Sequence, residues 1–318
     1  MKETTSHGQR PTAICTLFEG DYHFGLAAFV NSLAAAGYAG TVWAGYRGAL
    51  PPWLNQLIRL DGDAETFMVD ERLRLTFVPL TTHIHLTNYK PQFMLNLLAG
   101  PARGCDYLWY FDPDILLRCR WEFFSKWQSN GIALCEEIVN YNLSENSPLR
   151  CQWMNIGSGM GLDEARPIRG YFNGGMVGIS TAHVDLLYLW QRILAHAVSG
   201  SYNLEVFKPG TPDLPFNATD QDALNMALMY VKHPLSTMGP EAMGFIPSGF
   251  TMYHAVGHKP WRGSILLRAL RGTPPSNAAK FFFTKVSSPI RTYSRPRLAV
   301  KRLACSVAAF IGRFYARR

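Results

Sequence analysis

The stretch Tyr107-Leu108-Trp109-Tyr110-Phe111-Asp112-Pro113-Asp114 decides the fold class. Residues 107–111 have no polar face, as required of a strand covered by helices on both sides of a parallel sheet. The run ends in two carboxylates one residue apart, with Pro113 stiffening the turn between them. Ionised side chains at the end of a buried strand have to be paired, solvated or bound to a cation. Ligands of open α/β sheets lie beyond the carboxyl ends of the strands, so the placement of Asp112 and Asp114 matters as much as their spacing. A hard divalent cation with oxygen ligands would satisfy both charges. A solvated surface turn is the plain alternative for a D-x-D standing alone.

Working outward, residues 13–17, 41–44 and 73–80 read as strands, and 25–36 and 89–98 as helices. Gly37 stops the first helix, and a proline-started helix is expected over 51–60. Downstream, 121–128 reads as a helix and 132–135 as a strand, and periodicity is then lost over 138–170, a length usually functional or disordered. A strand at 174–179 and a helix at 182–197 follow. A second loop, 200–218, ends at Thr219, the expected N-cap of a helix through 222–231. Alternating strands and helices predict an α/β domain.

At 318 residues the chain can build a self-supporting core. Its six cysteines (Cys15, Cys105, Cys119, Cys135, Cys151, Cys305) stand singly and read as buried free thiols. The segment 1–10 is polar, and no apolar run reaches the ~18 residues of a membrane span. A cytoplasmic setting is expected. The net charge of +8 is confined to one end: after Glu241 come 14 Lys or Arg and no acid, leaving 17 basic against 23 acidic residues over 1–241. A basic tail on an acidic body argues against a nucleic-acid groove and for a peripheral position on the inner, anionic face of a membrane. Residues 298–315 can be written as a helix with one apolar side, suited to lipid headgroups, with packing against the body as the alternative.

Three further segments accompany the D-x-D. Phe172-Asn173-Gly174-Gly175 sets glycines against a strand, where they weaken it unless a ligand or another backbone approaches closely. Asp220-Gln221-Asp222 opens a helix; its acids also suit a helix N-terminus. His254-Ala255-Val256-Gly257-His258-Lys259-Pro260-Trp261 brings a metal-capable imidazole, a glycine and a lysine together.

In this order the four segments resemble the family 8 glycosyltransferases and their relatives, over roughly residues 12–262. The motifs are a strand ending in D-x-D, F-N-x-G (Phe172 to Gly175), D-Q-D-x-L-N (Asp220 to Asn225) and a version of H-x-x-G-x-x-K-P-W shortened by one residue between Gly257 and Lys259. The resemblance implies a GT-A-type, Rossmann-like mixed sheet flanked by helices over 1–262, followed by a basic, partly amphipathic helical extension over 263–318. It implies Mn²⁺ or Mg²⁺ held by Asp112, Asp114 and His254 against the diphosphate of a nucleotide sugar, commonly a UDP-sugar. Lys259 and Gly257 would meet the phosphates, and Asp21, Tyr22 and Lys90 the rest of the donor. Asn173, Asp220 and Gln221 would surround the transferred sugar, with Gln221 nearest the anomeric carbon and retention of configuration. A glycan or glycolipid would be the acceptor.

Glu136 and Glu137 could reach an acceptor but read better as a solvated pair. Three rivals remain. A haloacid-dehalogenase-type phosphohydrolase should open with its D-x-D and continue to a threonine, which this chain does not do. A nucleotidyltransferase should have a Gly-rich basic loop after its first strand. A non-catalytic nucleotide-sugar-binding protein would keep the pocket without turnover.

Overall fold

The computed structural model describes residues 11–62, 64–139, 143–163, 165–200, 202–207 and 214–315. The polar segment 1–10, parts of both expected long loops and the last three residues lie outside them.

The chain enters its sheet with β1 (Thr12–Glu19), passes through α1 (His23–Ala36) and returns parallel in β2 (Gly40–Arg47). β3 (Ile58–Arg59) and β4 (Glu65–Met68) form an antiparallel edge beside β5 (Leu73–Pro79), and α2 (Lys90–Ala99) leads into β6 (Tyr107–Phe111). Next come β7 (Ile115–Leu117), α3 (Trp121–Trp127), β8 (Ile132–Glu136), α4 (Pro148–Gly159), β9 (Phe172–Ser180), α5 (Asp185–Ser199) and α6 (Thr219–Tyr230). β10 (Leu235–Met238), β11 (Met252–His254), α7 (Ile265–Leu270), α8 (Asn277–Lys285) and α9 (Arg295–Ile311) complete the order. Among the described residues the strands build a nine-stranded sheet, β10-β8-β9-β6-β1-β2-β5-β4-β3, and a β7–β11 ribbon.

β6 lies inside the sheet, parallel to β1 and antiparallel to β9. Its side chains alternate between two cores, as strand geometry demands. Leu108 and Tyr110 enter the core with Phe93, Trp190 and Leu224; Trp109 and Phe111 enter the core with Leu26, Phe29 and Phe124. Each fully buried aromatic contributes roughly 1.5–3 kcal/mol, so the strand that carries Asp112 is anchored on both faces. Gly25 lets α1 come close: a Cβ there would stand 2.7 Å from the Pro113 carbonyl oxygen and 2.9 Å from the Trp261 ring.

Several expectations change. Residues 51–60 form a 3-10 turn (Pro52–Gln56) and the edge strand β3 in place of a helix. Trp53 and Leu54 are buried side by side, and Gln56 hydrogen-bonds the backbone of Arg291, which ends the turn. The irregular stretch 138–170 contains α4, capped by the Ser147 hydroxyl with Pro148 at its start. Its glycines hid the period: Gly157 lies where a side chain would strike the Tyr230 hydroxyl. Thr219 is the first residue of α6 and not its cap, its hydroxyl donating to the Phe216 carbonyl while Asp222 accepts from Ala218 N–H. All six cysteines are free, but Cys105 and Cys119 are half-buried and Cys151 is exposed.

The basic C-terminal segment packs on the body. Ile265, Ala269, Phe282, Phe283, Leu298 and Ala308 share a core with Ala28 of α1 and Leu116 of β7. Asn31 of α1 fixes the contact, donating to the carbonyls of Lys285 (2.6 Å) and Ile290 (2.7 Å) and accepting from Ile290 N–H (2.8 Å). No helix among the described residues is long and apolar enough to cross a membrane.

Candidate active site

The D-P-D turn is held at both ends. Asp112 N–H donates to the Gly175 carbonyl (2.7 Å), and Ile115 N–H closes back on the Asp112 carbonyl (3.0 Å). The ribbon then delivers a histidine from far along the chain: Ile115 faces His254 in the β7–β11 register, and Ala255 N–H donates to the Asp114 carbonyl. His254 Nε2 lies 3.3 Å from Asp114 Oδ1 and 3.6 Å from Asp112 Oδ2. One ligand atom from each of the three residues falls within 4.8 Å of the others. Two carboxylate oxygens and one imidazole nitrogen form a donor set that Mn²⁺ or Mg²⁺ fits.

Two lysines flank these carboxylates. Asp114, 3% exposed, accepts from Lys259 Nζ, which also donates to the Ala255 carbonyl (2.9 Å). Burial alone would raise the Asp114 pKa; His254 and Lys259 outweigh it and hold the carboxyl well below its ordinary value. Burial likewise works against the charge on Lys259, and Asp114 more than compensates, so its pKa is raised. Lys90, 2% exposed at the start of α2, donates to Asp220 Oδ2 (2.8 Å) and to the Gly174 carbonyl (2.9 Å), with Asp112 Oδ1 at 3.4 Å. Its pKa rises because Asp112 and Asp220 outweigh the cost of burial. Tyr110 donates its hydroxyl to Asp112 Oδ1 at 2.9 Å.

The glycines of β9 make room for this cluster. A Cβ on Gly175 would sit 2.7 Å from each of Asn173 Oδ1, Asp112 Oδ2 and the His254 ring. Across β9, α6 is locked to the sheet by Asn225, which exchanges hydrogen bonds with both backbone groups of Phe172 (2.8 Å each). Gln221 accepts from Gly174 N–H (2.9 Å), and the Tyr171 hydroxyl donates to Asp222 Oδ1 (2.6 Å). Within D-Q-D-x-L-N, Asp222 and Asn225 are thus structural, and Asp220 and Gln221 face the cavity.

That cavity has a volume of about 540 Å³. Of the residues singled out in the sequence, Tyr22, Lys90, Asp112, Asp114, Asn173, Asp220, Gln221, His254, Gly257 and Lys259 line it, whereas Asp21 does not. Asp21 is held by the Arg262 guanidinium, which lowers its pKa, and Arg262 lies 5.0 Å from the Tyr22 ring. The sequence reading missed Arg262, Glu19, His85 and Phe207, which also line the cavity. His85 and Phe207 form one wall: His85 N–H donates to the Leu204 carbonyl, Asn88 donates to Leu204 and Val206, and the two rings are 5.6 Å apart. Glu137, expected to be merely solvated, instead lines the cavity and accepts from Asn173 Nδ2. Only the basic Lys259-Pro260-Trp261-Arg262 run carried any local signal for Arg262; the others come together by folding.

No protein-family model and no curated protein sequence matches the chain. Among solved structures it is similar to the apo form of WbbM, a bifunctional glycosyltransferase, with a TM-score of 0.55 at 11% identity. The match covers 94% of this chain and 53% of that one, so this chain spans about half the length of the protein it matches. At this identity the likeness shows the fold: a GT-A-type, Rossmann-like mixed sheet flanked by helices.

Proposed function

We propose that the chain is a divalent-metal-dependent glycosyltransferase that takes a nucleotide sugar, a UDP-sugar in the first instance, and transfers the sugar with retention to a glycan or glycolipid acceptor. The basic C-terminal extension would hold it at an anionic membrane surface. One observation carries the reading. Asp112, Asp114 and His254 converge at the carboxyl end of β6 in a cavity with Lys259 and Arg262 beside them and Asn173, Asp220 and Gln221 across from them. The likeness to a glycosyltransferase fold supports it.

A bound Mn²⁺ or Mg²⁺ would supply Lewis-acid stabilisation of charge on the leaving diphosphate. Lys259 and Arg262 add fixed positive charge on the same side, and because their donors are already positioned, little reorganisation accompanies bond breaking. Tyr22 offers a half-buried aromatic face to the donor base. Lys90 holds Asp220 in place, with its other oxygen free to accept a hydrogen bond from a sugar hydroxyl. Gln221, its amide oxygen held by Gly174 N–H, presents the rest of its amide where the anomeric carbon would lie. Glu137 and Asn173 form a hydrogen-bonded pair suited to an incoming acceptor hydroxyl.

The test is product analysis with UDP-sugars and Mn²⁺ on the wild type and Asp114→Asn. Release of UDP that the variant abolishes supports the reading. Release of pyrophosphate from a nucleoside triphosphate and a sugar phosphate would point to a nucleotidyltransferase, and tight binding without turnover to a binding protein.

A further inference from the structure

Helix α9 has two apolar sides, and its core contacts use only one. Leu298, Cys305 and Ala308 face the core shared with α1. On the opposite side Val300, Leu303, Val307 and Phe310 recur at alternating steps of three and four residues, and Phe314 continues the series into the 3-10 turn that follows. This spacing places them on one helical stripe. All five are exposed, Leu303 at 67% and Phe314 at 76%. Leu267 and Leu270 of α7 are exposed as well, and the Tyr315 hydroxyl donates to the Leu270 carbonyl (2.9 Å), which brings the end of the stripe against α7. An apolar surface of this extent on a soluble face signals an occupant.

The charges around the stripe identify that occupant. Arg295 and Arg313 flank it on one side and Arg297 on the other, by their positions on the helix, while Lys301 sits over the Tyr293 ring on the core side and Arg302 donates to the Phe283 carbonyl. Among the described residues none of Arg295, Arg297 and Arg313 is paired with a carboxylate, and no acid occurs anywhere after Glu241. A second copy docked stripe to stripe would set these cations against their own kind. A bilayer carrying anionic headgroups complements both features, with apolar side chains in the acyl boundary and long basic side chains reaching headgroup phosphates.

We infer that the stripe from Val300 to Phe314, extended by Leu267 and Leu270 of α7, is the face that docks this protein on anionic lipid, while the other side of α9 fastens the helix to the catalytic body. The docking element is therefore rigidly joined to α1, whose N-terminus abuts the D-P-D turn through Gly25. The inference depends on exposure, periodicity and charge, and holds whether or not sugar transfer is the activity.

The experiment is vesicle flotation of the full chain with phosphatidylcholine containing phosphatidylglycerol, and with phosphatidylcholine alone. The test variant is Leu303→Ser/Phe310→Ser/Phe314→Ser, which changes no charge and touches only exposed positions. The wild type should float with the anionic vesicles alone and be released by salt, and the triple variant should lose roughly a hundredfold in partitioning, given the apolar area removed. A second variant, Arg297→Gln/Arg313→Gln, keeps the stripe and should weaken binding to anionic vesicles several-fold. No flotation of the wild type, equal flotation with neutral vesicles, or unchanged flotation of both variants overturns the inference. So does a wild-type dimer in sedimentation velocity that the triple variant converts to monomer.

Discussion

Replacing Lys90 with methionine removes the ammonium that contacts both Asp112 and Asp220 while keeping much of the side chain's volume. The side chain is 2% exposed, and its ammonium donates to Asp220 at 2.8 Å and to the Gly174 carbonyl at 2.9 Å and lies 3.4 Å from Asp112. Removing one partner of a buried pair costs about 3–5 kcal/mol, because the remaining charge stays desolvated. Here two carboxylates and a carbonyl are left, so the upper half of that range is expected, a large share of the ~5–15 kcal/mol available to a domain. The Lys90 pKa is raised in the fold. Its contribution is therefore complete below the ordinary lysine value of 10.5, and is lost only as pH rises through the higher folded value. The measurement is urea unfolding at neutral pH for wild type and Lys90→Met, without divalent cation and then with Mn²⁺. The midpoint should fall sharply without metal and recover in part with it, since a cation on Asp112 would replace some of the lost charge. Lys126→Met, which breaks an exposed pair with Glu122, should leave the midpoint unchanged. A cost below about 1 kcal/mol for Lys90→Met would refute the idea that this lysine holds the site together.

Gly175→Ala should cost about 1–3 kcal/mol by overpacking and abolish divalent-cation binding, measured by calorimetry, because the new methyl stands 2.7 Å from both Asp112 and the His254 ring. Asn31→Ala leaves the Lys285 and Ile290 backbone groups without their partner. It should cost about 2–4 kcal/mol and open the 286–294 segment to limited proteolysis. Glu137→Gln should leave nucleotide affinity intact and slow transfer to a saccharide acceptor about tenfold, the worth of one hydrogen bond to a charged group. Equal loss of nucleotide binding would place Glu137 on the donor side.

The centre of the fold was legible because its signals are local. Residues 107–111 read as a strand buried on both faces, and Gly37, expected to stop the first helix, ends α1 at a φ of 83°. The signals failed where tertiary contacts decide. α4 was hidden by glycines whose reason is the Tyr230 hydroxyl, and 51–60 became a turn because Gln56 is tied to residue 291. The D-x-D, the F-N-G-G run, the D-Q-D and the histidine segment each offered candidates, yet only the β7–β11 register brings His254 to the carboxylates. His85, Phe207 and Glu137 carry no motif; the first two reach the cavity on loops tied together across more than a hundred residues, and Glu137 through Asn173. The tail read as a helix with one apolar side, whereas α9 has two, one spent on the core and one left outward.

The central claim is that Asp112, Asp114 and His254 bind a divalent cation together with the diphosphate of a nucleotide. The most direct measurement is calorimetric titration of UDP into the wild type with and without Mn²⁺, repeated on Asp114→Ala. The account predicts binding that requires the metal and disappears in the variant. Metal-independent binding, or binding that survives the loss of Asp114, would contradict it.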